Sequence, residues 1–163
     1  MKVRISIAMM ILAALSINLA TAEEIKEPVI SNLKVYKVIK NEKGEELKVS
    51  ADSVKPGDIL EYELTYKNVS SNNVENLTPL MKIPDNTEFI GGSAKSSLPS
   101  LIEFSIDNGR TYKKPPIFKE IIENGKKRRI KVPPSEYTNV RWTLRVPLKP
   151  GNEVKFYMRV KVK

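Results

Sequence analysis

The sequence predicts an all-β fold, an antiparallel two-sheet sandwich with Greek-key connections placed after a cleaved signal peptide, and three observations carry that expectation. Apolar residues recur with a period of two along most of the chain beyond residue 22. Turn dipeptides punctuate it at short intervals, and no window holds a sustained apolar stripe of period 3.6. The first 22 residues follow another grammar. Lys2 and Arg4 precede an almost wholly apolar run over 5–15, and Ala20-Thr21-Ala22 places small residues at the two positions that signal peptidase reads. Cleavage is expected after Ala22. The apolar stretch falls short of the roughly 20 residues a membrane span needs, and Asn18 interrupts it. Residues 23–163 are expected to form one domain, periplasmic or secreted, with no later transmembrane segment.

Taken in order, residues 32–40 and 46–49 are expected to be strands. In the next segment Leu60, Tyr62, Leu64 and Tyr66 alternate with Glu61, Glu63 and Thr65, which gives one buried and one wetted face. Shorter strands are expected at 74–83, 87–90, 101–106, 118–122 and 128–132. Val140, Trp142, Leu144 and Val146 then alternate with Arg141, Thr143 and Arg145, and Val154, Phe156, Met158, Val160 and Val162 with Lys155, Tyr157, Arg159 and Lys161. Asn108-Gly109 and Asn124-Gly125 suit the two positive-φ corners of a hairpin turn. Pro56-Gly57 and Pro150-Gly151 stand just before two of the long strands, where a proline-preset turn redirects the chain.

Composition excludes several chemistries. The 163 residues contain no Cys and no His, so thiol nucleophiles, disulfides, zinc-finger-type sites and an imidazole base are ruled out. Catalysis would have to use carboxylates, Lys, Tyr or a bound metal. Glu61 with Glu63, and Asp52 with Asp58, are the pairs that a carboxylate-based hydrolase of cell-wall or surface glycans would use. Their spacing is that of a solvated strand face and a turn. Asp107-Asn108-Gly109 supplies one acid where a calcium loop supplies several, and Gly91-Gly92-Ser93 reads as a plain turn. No catalytic, cofactor-binding or metal-binding residue is nominated, and the chain is expected not to be an enzyme.

The segment Val54-Lys55-Pro56-Gly57-Asp58-Ile59-Leu60-Glu61-Tyr62-Glu63-Leu64-Thr65-Tyr66-Lys67-Asn68 resembles the opening of the bacterial conserved-repeat domain known as domain of unknown function number eleven. Ile83-Pro84-Asp85-Asn86-Thr87-Glu88-Phe89-Ile90 is similar to a later segment of that domain, although Leu80-Met81-Lys82 stands where its usual acidic start would be. Residues 134–144, with Arg141-Trp142, and Leu148-Lys149-Pro150-Gly151 resemble the ending of a single-copy secreted subgroup. The resemblance implies an immunoglobulin-like sandwich in the bacterial envelope, and it implies no reaction.

Ser105-Ile106-Asp107-Asn108-Gly109-Arg110-Thr111-Tyr112 has the S-x-D-x-G-x-T-aromatic spacing of the Asp-box hairpin of sialidases and other secreted β-proteins. Its chemistry is local. A short Ser or Asp oxygen accepts N–H bonds across the turn, Gly109 takes positive φ, and the aromatic ring packs beneath. A sialidase would also need an arginine cluster, a Tyr nucleophile and a propeller, for which this chain is too short.

Lysine and arginine number 28 against 19 acids, a formal charge of +9; removing 22 residues that carry two bases and no acids leaves +7. Lys126-Lys127-Arg128-Arg129 forms one cluster. Arg141, Arg145, Lys155, Arg159 and Lys161 lie at outward positions of the last two long strands, so pairing of those strands would gather them into one basic face. The partners expected for such a face are lipopolysaccharide, anionic polysaccharide or an envelope protein, with nucleic acid the weaker candidate. The plainer reading is a solubilising surface that discourages edge pairing.

Overall fold

In the computed structural model, which describes residues 28–163, the alternating segment around Leu60 and Leu64 becomes the central strand of the larger of two facing sheets. The expected signal peptide lies outside those residues. The strands are β1 (Val29–Lys40), β2 (Glu46–Ser50), β3 (Ile59–Asn68), β4 (Leu80–Lys82), β5 (Thr87–Phe89), β6 (Lys95–Ser96), β7 (Ser100–Ser105), β8 (Phe118–Glu123), β9 (Lys126–Lys131), β10 (Asn139–Leu144) and β11 (Glu153–Val162). One 3-10 turn, Pro134–Glu136, precedes β10. The first sheet runs β2-β1-β3-β11-β5, with β6 also on β11; the second is β4-β10-β7; β8 and β9 form a hairpin of their own. Every pairing is antiparallel. The fold is all-β, and its layers are consistent with a β-sandwich.

The alternating apolar residues meet between the layers. Trp142 of β10 and Phe156 of β11, both fully buried, have ring centroids 5.6 Å apart, and Phe89 of β5 stands 5.1 Å from Phe104 of β7. Leu60, Leu64, Val140, Leu144, Val154, Met158 and Val160 complete this interior. Each such side chain stabilises the fold by roughly 1.5–3 kcal/mol. The first sheet is wider than the second. Ile39, Leu47 and Val49 therefore stay exposed at the β1–β2 margin, on the same sheet face as Leu60 and Leu64.

The turn dipeptides do what their chemistry predicts. Gly57 has φ +92°, the left-handed corner of a type II turn, and Asp58 N–H donates to Lys55 O at 3.1 Å. Pro150-Gly151 repeats the pattern, with Asn152 N–H on Lys149 O at 3.1 Å. Each turn is stitched to the far end of the other long strand, Gly57 N–H to Val162 O and Gly151 N–H to Asn68 O, both at 2.9 Å. Asn68 closes β3 as a buried connector. Its Nδ2 donates to Asn72 O and Leu148 O at 2.7 Å, and its Oδ1 accepts Ser70 N–H at 2.9 Å and Ser70 Oγ at 2.8 Å.

Two expectations need correction. Of residues 74–83 only Leu80–Lys82 is a strand; Val74 makes a single bridge to Leu148, and Asn76, at φ 53°, and Pro79 interrupt the extended run. The pairing of the last two long strands also fails. β10 lies between β4 and β7, and β11 between β3 and β5. Because Trp142 and Phe156 meet across the interior, their outward neighbours point to opposite sides of the molecule.

Candidate functional site

The nominated cations are consequently divided. Arg141 lies on the outer side of the second sheet, where its Nη2 donates to Glu103 Oε2 at 2.7 Å and its guanidinium carbon stands 4.4 Å from the centroid of the Tyr112 ring. Arg145, just past β10, is exposed. Lys155 and Arg159 lie on the outer side of the first sheet, and Lys161, also on β11, is exposed near its end. The structure does not bring the five together.

Lys155 and Arg159 are also not free to bind an anion, because that sheet face supplies its own. Lys155 Nζ reaches Glu63 Oε1 at 3.1 Å. Arg159 Nε donates to Glu61 Oε2 at 2.7 Å, and its terminal nitrogens hold Glu46 at 2.9 and 3.1 Å. Lys48 Nζ contacts the other Glu61 oxygen at 2.5 Å while standing 5.6 Å from the ring centroids of both Tyr36 and Tyr157. Glu61 is thereby only 6% exposed, although it occupies an outward position. The long side chains of its neighbours lie over it, so the expected solvated carboxylate is a buried, paired one.

Beside this lattice lies an open depression of about 310 Å³, lined by Glu46, Glu61, Tyr157, Arg159, Lys95 and the Gly91-Gly92 turn. It is the place where the hydrolase reading can be weighed. Burial acts to raise the Glu61 carboxyl, but hydrogen bonds from Lys48 and Arg159 and their charges outweigh it and hold the group below its usual value. Glu46 is likewise lowered, first by its hydrogen bond from Arg159. A glycosidase needs one carboxyl kept protonated as the acid. Both carboxylates here are stabilised as anions on one guanidinium, an arrangement that holds a sheet face together and donates no proton.

The Ser105–Tyr112 turn has the geometry its sequence predicts. Ser105 Oγ accepts Asp107 N–H at 3.1 Å and Gly109 N–H at 2.9 Å, and donates to Asp107 Oδ1 at 2.6 Å. Asp107 accepts Thr111 N–H at 2.9 Å and Thr111 Oγ1 at 2.6 Å, and these bonds, led by those from Ser105 and Thr111, push its carboxyl far down. Gly109 has φ +83°, and the Tyr112 hydroxyl lies where a Cβ would nearly touch it. Every polar atom of the Asp107 carboxylate is engaged within the turn.

The remaining concentration of charge is the β8–β9 hairpin. Over residues 118–131 it carries six bases and two acids, a net charge of +4. Its strands pair only with each other, none of their twelve residues is buried, and the type I′ corner is Asn124 at φ 51° and Gly125 at φ 74°. Buried Ile117 and Val132 anchor the base, where Val132 N–H donates to Ile117 O at 2.9 Å, and Lys119 pairs with Glu136. Lys127 touches Glu120 at 3.9 Å and Arg128 pairs with Glu123. Lys126, Arg129 and Lys131 have no ion pair among the described residues. The sequence displays this cluster openly. What it lacks is any sign that the hairpin stands apart from both sheets while the cations of the long strands are neutralised.

No family model matches the chain, and no curated protein matches it; the resemblance to the conserved-repeat domain rests on the segments quoted above.

Proposed function

We propose that the chain is a non-catalytic module of the bacterial envelope or the secreted fraction that holds an anionic partner through its β8–β9 hairpin. The observation that carries this reading is the segregation of charge: bases elsewhere are largely matched by acids on the sheet faces, whereas the hairpin keeps a surplus of +4 on strands with no buried residue. A projecting basic ribbon gathers anions electrostatically. The immunoglobulin-like Greek-key reading is supported by the crossovers, since β3 lies beside β11 and β7 beside β10. Export is supported by residues 1–22, and protein from the native host is expected to begin at Glu23 by intact mass.

The functional reading is tested by retention on a heparin or lipopolysaccharide matrix under a salt gradient. Lys127→Glu with Arg129→Glu should release the protein at much lower salt than Lys43→Glu with Lys67→Glu, which changes net charge equally. Equal loss in both variants would mean that overall charge alone is at work and would overturn the assignment to the hairpin.

A further inference from the structure

Ile122 is 77% exposed, the largest exposure of any large apolar side chain among the described residues. The hairpin register sets it directly across from Lys127. On the same face, two and four residues back along β8, are Glu120 opposite Arg129 and Phe118 opposite Lys131. Phe118 is 38% exposed, and the Arg129 guanidinium carbon lies 4.4 Å from its ring centroid. The other face carries Ile121 and Ile130, both half-buried, and Lys119, which is tied to Glu136 beside the 3-10 turn. One face of the hairpin is thus turned to the body of the protein. The outward face mixes apolar side chains with three cations and one acid.

A soluble anionic polymer would satisfy the cations of that face and offer nothing to Ile122. A bilayer containing anionic phospholipid offers both partners, phosphates at the depth of the lysine and arginine head groups and an acyl boundary just below. We propose that the outward face of the β8–β9 hairpin docks on an anionic phospholipid surface, with Lys127, Arg129 and Lys131 at the phosphates and Ile122 seated in the acyl boundary. This rests on the reading of the hairpin as the anion-binding element and specifies its ligand.

Protein spanning residues 23–163, which include every strand described, would be sedimented with vesicles of phosphatidylcholine with and without phosphatidylglycerol. Binding is expected only with phosphatidylglycerol, and it should be released by salt. Ile122→Ser leaves the charge unchanged and should weaken partitioning about five- to tenfold. Lys127→Glu with Arg129→Glu should weaken it by more than about thirtyfold, since each base near such a surface contributes about a tenfold factor or less. The chain has no cysteine, so Ile122→Cys can carry a single environment-sensitive fluorophore, whose emission should shift to the blue on these vesicles. All four variants are made at exposed positions, and unchanged thermal unfolding verifies that each is folded.

Equal binding by the native chain and Ile122→Ser overturns the inference, as does absence of sedimentation with anionic vesicles. Retention on heparin without vesicle binding would identify a polymer as the ligand and leave the anion-binding reading standing. Native affinity for heparin in the Lys127→Glu, Arg129→Glu variant would bring down that reading as well.

Discussion

Arg159 Nε and Glu61 Oε2 meet at 2.7 Å across adjacent strands, β11 and β3, on a sheet face that alternation alone would leave to water. The guanidinium bridges Glu61 to Glu46 of the edge strand β2, and Lys48 of that same strand closes on Glu61 from the other side. One arginine therefore ties the outermost strand to the sheet centre. Arg159→Met should cost about 1–3 kcal/mol, because it leaves a buried carboxylate with one cation in place of two. Glu61→Gln should cost a similar amount. The double variant should be milder than the sum by at least about 1 kcal/mol in urea unfolding. Additive losses would show that the lattice does not act as a unit.

Trp142 is the chain's single tryptophan and is fully buried against Phe156. Its emission maximum should be that of indole shielded from water in the folded protein and should move to the red on denaturation. Trp142→Ala should lose about 3–5 kcal/mol, the usual result of emptying a large aromatic site. A maximum typical of exposed indole in the folded state would contradict the register of β10.

The Ser105–Tyr112 turn makes stability depend on acid. The Asp107 carboxyl is lowered by its bonds from Ser105 and Thr111, so its contribution is fully present above the unfolded value, about 4, and declines as pH falls below it. Asp107→Asn should melt at a lower temperature than the native chain at pH 7. The gap should narrow steadily as the pH is taken below about 4. A gap of constant size down to strongly acidic pH would show that the carboxylate charge contributes nothing there.

Most of the strands and the turns are legible in the sequence, because both are local. Period-two alternation marks β3, β10 and β11, and Asn-Gly and Pro-Gly fix corners whose φ values the backbone then adopts. Partner choice between strands is another matter. Val140, Trp142 and Leu144 would look the same whether β10 lay beside β11 or across the core from it, so the expectation of one shared basic face had no local signal to correct it. The burial of Glu61 was hidden for a related reason: its covering groups, Lys48 and Arg159, come from 13 residues before and 98 residues after it in sequence. β6, two residues long, is too short for periodicity to register. The hairpin was visible as composition, in Lys126-Lys127-Arg128-Arg129, but its separation from the sheets belongs to topology.

The pairing of β3 with β11 also gives the molecule a timetable. A chain that emerges N-terminus first can lay β1 and β2 against β3 early, yet the other edge of β3 waits for residues 153–162. Until they arrive, Leu60 and Leu64 have neither their neighbours on β11 nor the Trp142 layer opposite, and the half-built ribbon presents an open edge and an apolar side together. Such a polypeptide stays threadable for as long as it is being delivered, which suits passage through a narrow channel, and it is most prone to aggregation in that interval. Its final ten-residue strand acts as the latch: a ribosome stall or a proteolytic clip before residue 153 would leave an adhesive fragment, not a smaller folded protein.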